Sequence, residues 1–235
     1  GPRPNMAEMA HSTATLRLSV GDLRVVHPIA VPSGPVEAAE IVPALHGLVN
    51  AVVEAAEAGK TVSCRKGCGA CCRQLVPVSR SEGERLLKVV DALPAERREA
   101  LTARFAGAET AIEGAGLDRR QGRSDRELSA AYFALGQPCP FLEDESCSIH
   151  AERPLICREY LVTSPAGLCA GPSQEGVTPL AVPKVSLAAR GLQDEADDWF
   201  PLALLMAWSR TRPRPGTRRS GPEWVQRFLR QLGRK

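Results

Sequence analysis

Apolar and polar residues alternate over 13–20, TATLRLSV, and again over 23–31, LRVVHPIAV. This period of two predicts two β-strands, and Gly21-Asp22 between them predicts a two-residue hairpin turn with Leu16, Leu18 and Val20 on one face. A hairpin alone is marginally stable, so this one is expected to lie against something else. From Val36 to Ala58 the period becomes helical, with Pro43 predicting a kink or false start and Gly59 the end. Further on, Ser81-x-x-Glu84 and Ser124-x-x-Glu127 have the spacing of capping boxes, and Pro94 suits the first turn of a helix running toward Ala111. Helical character returns over 199–209, WFPLALLMAWS, and over 222–232, PEWVQRFLRQL, with an Arg/Pro/Gly linker over 210–221 between them. The stretch 138–183 is different. It carries seven prolines and four cysteines without a sustained period, and is expected to be loop-rich and to need a ligand to hold its shape.

These elements predict a mainly α fold: a single helical domain over 36–209, a β-hairpin arm over 6–35, and a basic linker and C-terminal helix over 210–235. Gly1-Pro2 has the look of a protease scar, which puts residues 1–5 outside fold reasoning and the native start at Met6. At 235 residues the chain is long enough to fold on an ordinary core without cross-links. Hydrophobic residues make up 43% and charged residues 24%, as in a globular protein, whereas 4% aromatics and 19 prolines point to a modest core and long loops. A net charge of +3 gives no argument for a polyanionic partner, although nine basic residues face the single acid Glu223 between Arg210 and Lys235. No export signal follows Met6, and no uninterrupted apolar run reaches membrane-spanning length, so a cytoplasmic setting is expected. Thiols stay reduced there, and a cysteine-dense pattern points to metal rather than to disulfides.

The eight cysteines fall into two groups: Cys64, Cys68, Cys71 and Cys72, then Cys139, Cys147, Cys157 and Cys169. The spacing CxxxCxxCC places three or four sulfurs on one tight loop, where Gly67 and Gly69 free the backbone to curl around an ion or a cluster. Arg65, Lys66 and Arg73 flank that loop and Arg158 follows Cys157; positive charge there offsets the charge of gathered thiolates. Eight thiols would supply two tetrahedral zinc sites, but Cys68 and Cys71 make the single CxxC knuckle where a zinc ribbon has two. Iron–sulfur clusters also take four thiolates, and spacing alone does not choose between iron and zinc. Cys64 to Cys71 equals the CxxxCxxC signature of radical S-adenosylmethionine enzymes. Ala70 replaces their usual aromatic, however, and helices follow the motif instead of strand–helix units.

GCGACCRQLVP, then CPFL at 139–142, CSIH at 147–150, RPLICREY at 153–160, and Cys169 followed by GVTPL at 176–180 together resemble the YkgJ-type cysteine-cluster proteins, described as zinc- or iron-chelating domains. The resemblance covers about residues 60–180. It implies that all eight cysteines belong to one metal-binding unit joining two distant segments, holding an iron–sulfur cluster of the 4Fe–4S type or, alternatively, zinc. Flagellin lysine N-methylase-like proteins are related to this family, which makes redox or methyl-transfer chemistry with S-adenosylmethionine an implied activity. His150 stands where the family commonly has tyrosine, so no ligand role for its imidazole follows.

The remaining candidates carry less. Gly114-Ala115-Gly116 is expected to be a helix-ending turn, and His11, His27 and His46 are expected to be structural or solvated. Glu143, Asp144 and Glu145 are read as a solvated loop, with lining of a substrate entry as the alternative. Arg153 and Arg158 either bind an anionic substrate or tie their loop in place, the second being favoured. The arginine-rich stretch 210–219, with Trp208 and Trp224 nearby, has no recognisable nucleic-acid-binding fold around it and is read as a linker, with Asp194, Glu195, Asp197 and Asp198 as acids that would pair with it.

Overall fold

A computed structural model describes residues 10–119, 121–171, 174–193, 198–211 and 216–233. The protein is mainly α, with eight α-helices and four two-stranded antiparallel sheets among these residues. Strands β1 (His11–Val20) and β2 (Leu23–Pro32) form the expected hairpin around Gly21-Asp22, in a register that sets Leu18 opposite Val25. The inward positions of β2, Val25, Ile29 and Val31, are buried against helix α1 (Val42–Glu57). Pro43 does not kink α1. It sits in the first turn, where its missing N–H has no intrahelical partner to lose, and a short 3-10 turn over Ala38–Ile41 leads in.

Leu45, Leu48, Val49 and Val52, spaced at three and four, are fully buried in α1. They join β2 and helix α8 (Gly221–Leu232), through Trp224, Val225 and Phe228, in one apolar cluster. Among the described residues, the run Ala38–Glu57 is the one with the length and apolarity of a membrane span, and this same face makes it the central helix of the core. The start of α8 is tied back twice. The two-residue strands β3 (Pro35–Val36) and β8 (Arg219–Ser220) pair, and Trp224 Nε1 donates to the Val36 carbonyl at 2.9 Å.

The second apolar cluster is built on strand β4 (Pro77–Ser79), helix α2 (Arg80–Asp91) and helix α3 (Ala95–Gly114). Here the sequence reading is corrected in two places. The capping box of α2 is Ser79 with Glu82, not Ser81 with Glu84: β4 pairs with strand β7 (Trp199–Pro201), the chain leaves that ladder at Ser79, and Ser79 is therefore the last extended residue. Residues 199–201, expected to be helical, are β7 itself. Pairing with β4 overrides local propensity, and only after a 3-10 turn over Leu202–Leu204 does helix α7 (Leu205–Thr211) begin. The Ser124–Glu127 box opens helix α4 (Asp125–Leu135) as expected, and α3 ends at Gly114 in the expected turn. Helices α2, α3 and α4 separate the two cysteine groups. Asp194, Glu195 and Asp197, like residues 1–9 and Arg212 and Arg214, lie outside the described residues.

Candidate metal centre

All eight cysteines are free thiols and all eight line one cavity of about 880 Å³. The cavity lies where the two main apolar clusters meet: Val53, Val62 and Leu161 border it from the first, and Val76, Phe141 and Ile149 from the second. Helix α1 lines one side through Asn50, Val53, Glu54 and Glu57, and four further pieces of backbone carry the cysteines.

The first is the 64–73 loop. Cys68 N–H donates to the Arg65 carbonyl at 3.1 Å, and Gly67 takes φ +85°, the value a type II turn asks of its third residue. A 3-10 turn over Ala70–Arg73 follows and carries the adjacent Cys71 and Cys72. Gly69 leaves no room for a side chain, since a Cβ there would stand 2.5 Å from Glu145 Oε2 and 2.8 Å from Leu142 Cδ1.

The second wall is the hairpin of β5 (Leu142–Glu143) and β6 (Ser146–Cys147). Cys139 N–H donates to the Cys72 carbonyl at 2.8 Å, which joins the two cysteine groups through their backbone. At the hairpin tip Asp144 and Glu145 take φ +47° and +54°, an unfavourable conformation for residues other than glycine. Ion pairs hold the tip: Glu145 receives both Nη groups of Arg73, at 3.0 and 2.7 Å, while Glu143 receives Arg104 at 2.5 Å and Arg97 at 3.1 Å. The acidic run is thus an anchored turn whose tip, Asp144 and Glu145, is exposed as expected, and Glu145 also lines the cavity.

Helix α5 (Leu155–Glu159), inside the stretch read as loop, forms the third wall and presents Cys157. Three buried charged residues clamp it. Glu82 accepts from Leu155 N–H at 2.8 Å with one carboxylate oxygen, and from Ser79 N–H and Oγ at 3.0 and 2.7 Å with the other. Arg158 donates to Asn50 Oδ1 and the Arg153 carbonyl, both at 3.0 Å, and to the Ala151 carbonyl. Glu159 accepts from N–H and Oγ of Ser186 at 2.5 and 2.7 Å, capping helix α6 (Ser186–Arg190). Burial raises the pKa of both carboxyls, and that of Glu159 to about 7. His46 is buried on the face of α1 near Arg158; desolvation first, then that guanidinium, lowers its pKa to about 4, so it is a neutral core histidine.

The fourth wall, a 3-10 turn over Ala166–Ala170, carries Cys169. Gln174 locks it: its Nε2 donates to the Cys169 and Gly171 carbonyls at 3.2 Å, and its Oε1 accepts from Gln74 Nε2 and Tyr160 OH, also at 3.2 Å. Nearby, Val162 N–H donates to Cys64 Sγ at 3.4 Å. Among these supports, Glu82 was legible as a second Ser-x-x-Glu frame. Asn50, Glu159 and Gln174 left no local signal.

The donor set suits a thiophilic metal. Cys71 is raised first by its hydrogen bond with Cys72 and then by burial, and burial pushes Cys139 up to about 12 and raises Cys64, Cys147, Cys157 and Cys169. The Cys71 charge adds to the shift at each of these five other thiols, which places both cysteine groups within one another's field. Thiolates crowded in this way repel until a cation draws them together. Among the described residues, no three cysteine, histidine, aspartate or glutamate side chains stand at ion-enclosing distances; the sulfurs line the wall without converging.

A helical scaffold that gathers eight free thiols around one cavity defines a cysteine-cluster metal-binding protein. Residues 63–178 match the family model "CxxCxxCC: Putative zinc- or iron-chelating domain", and the chain carries that domain over this segment. The pattern in the family's name has two residues between its first two cysteines, whereas three separate Cys64 from Cys68. No curated protein and no solved structure matches the chain.

Proposed function

We propose that the cavity holds an iron–sulfur cluster of the 4Fe–4S type and that the protein carries out a redox or group-transfer reaction at that centre, in a reducing, cytoplasmic setting. The observation that carries this reading is the gathering of all eight thiols around one cavity, with the hydrogen bonds of buried charged side chains devoted to holding their backbone. Four thiolates are what such a cluster takes, and the polar backbone of the 64–73 loop is what its sulfurs accept hydrogen bonds from. Cys64, Cys68, Cys71, Cys72, Cys139, Cys147, Cys157 and Cys169 are the candidate ligands.

Purification without exposure to air tests it. Brown protein absorbing near about 400 nm, with acid-labile sulfide, is the expected result. Colourless protein with stoichiometric zinc would replace this reading with a zinc-binding structural or metal-handling role, for which eight thiols provide two tetrahedral sets. Calorimetric titration of the loaded protein with S-adenosylmethionine tests methyl transfer, and absence of binding rejects it.

A further inference from the structure

Arg153 and Arg158 stand five residues apart in the same motif and end in different company. Arg158 is fully engaged by Asn50 and two carbonyls. The Arg153 guanidinium meets one protein group, His150 Nε2, at 2.8 Å from Nη1, and its Nε is buried without a hydrogen-bond partner. A guanidinium presents two parallel N–H donors along its Nε–Nη2 edge, matched to two oxygens of a carboxylate or phosphate. In Arg153 that edge has no acceptor among the described residues, and the side chain lines the cysteine cavity.

More positive charge stands at the rim. Arg65 and Lys66 line the same cavity, are exposed, and make no ion pair among the described residues. Of the carboxylates that also line it, Glu145 is taken by Arg73, while Glu54 and Glu57 lie on α1 and bond neither Arg153 nor Lys66. At about 880 Å³ the cavity has the volume of a small-molecule site, which typically runs to about 300–1,000 Å³. A buried N–H such as that of Arg153 Nε is unfavourable without an acceptor, and an oxyanion supplies the missing one.

We propose that Arg153, with Lys66 at the rim, forms a subsite for the carboxylate or phosphate group of a small molecule that enters the cavity beside the metal centre. The proposal rests on the reading above for the centre beside it, but not for the anion contact. The test is calorimetric titration of the anaerobically purified full-length protein at low ionic strength, with inorganic phosphate and separately with malonate. One saturable site is expected, weakened about tenfold or more by Arg153→Gln and by a smaller factor by Lys66→Gln, and unchanged by Arg24→Gln on the hairpin. Lys66 is exposed, so that variant keeps the fold, and circular dichroism checks Arg153→Gln. The stronger of the two anions identifies the ligand chemistry. Binding of neither anion by the wild type, or equal binding by Arg153→Gln, overturns the subsite. So does loss of metal from Arg153→Gln in a protein that binds neither anion, because the guanidinium then serves only to balance thiolate charge. Protein that carries no metal yet binds phosphate through Arg153 keeps the subsite and rejects the metal reading.

Discussion

The core around α1 and the walls of the cysteine cavity are built on opposite principles. In the first, Leu45, Leu48, Val49 and Val52 pack against β2 and α8 over continuous apolar surface, each large side chain contributing about 1.5–3 kcal/mol by leaving water. In the second, the strands are two residues long, α5 and the Cys169 turn have five residues each, and order comes from point contacts: Glu82 on Leu155, Arg158 on Asn50, Glu159 on Ser186, Gln174 on Cys169. A typical hydrogen bond contributes only about 1 kcal/mol net. The walls are therefore positioned by the protein but need a ligand to be rigid, whereas the α1 core is stable by area alone.

The largest expected effect of breaking this contrast comes from the metal. Chelation should make residues 64–73 and 138–171 protease-sensitive while α1, α8 and most helical circular dichroism persist, since thiolate coordination contributes on the order of 10 kcal/mol. Simultaneous loss of the α1 core would show that the two regions are one unit. Next is Glu82→Ala, which leaves the buried Ser79 and Leu155 N–H groups without their acceptor; denaturant titration should show a loss on the order of 3 kcal/mol, with weaker metal retention as α5 shifts. Unchanged stability would mean that water replaces the carboxylate.

The pH dependence sharpens the comparison further. His46 has a folded pKa of about 4 against 6.5 unfolded, so the unfolded chain binds more protons between those values. Its contribution is fully present above pH 6.5 and is lost as pH falls toward 4, about 3 kcal/mol in all. Glu159, raised from 4.5 to about 7, acts in the opposite sense: the folded chain binds more protons across that window, and stability falls as pH rises through it. The two slopes offset one another in the wild type. Chemical denaturation across this range should show His46→Gln tilting toward lower stability at high pH and Glu159→Gln toward lower stability at low pH; parallel curves would contradict both assignments. The smallest effect is Gln174→Ala, expected to cost about 1 kcal/mol in global stability while accelerating metal loss to a competing chelator, because the contacts it removes lie in the Cys169 wall.

Local pattern alone determined the hairpin, the helical run of α1, the Ser124 box of α4, most of α8, and the sorting of the cysteines into two groups. Each follows from a backbone period or a spacing that a short stretch carries within itself. Tertiary structure decided the rest. Two Ser-x-x-Glu frames overlap at the start of α2, and Ser79–Glu82 caps the helix because β4 ends there on a partner strand from residues 199–201. The same pairing turned WFP from helix into strand. Arg153 and Arg158 are equivalent in the sequence; only the position of Asn50 on α1 and of the Ala151 and Arg153 carbonyls separates a clamp from an open donor edge. That the eight thiols share one cavity is likewise a product of the Cys139–Cys72 backbone bond and the Gln174 lock. When two local patterns are equally good, the choice belongs to partners far along the chain, whose contact energies no local window contains.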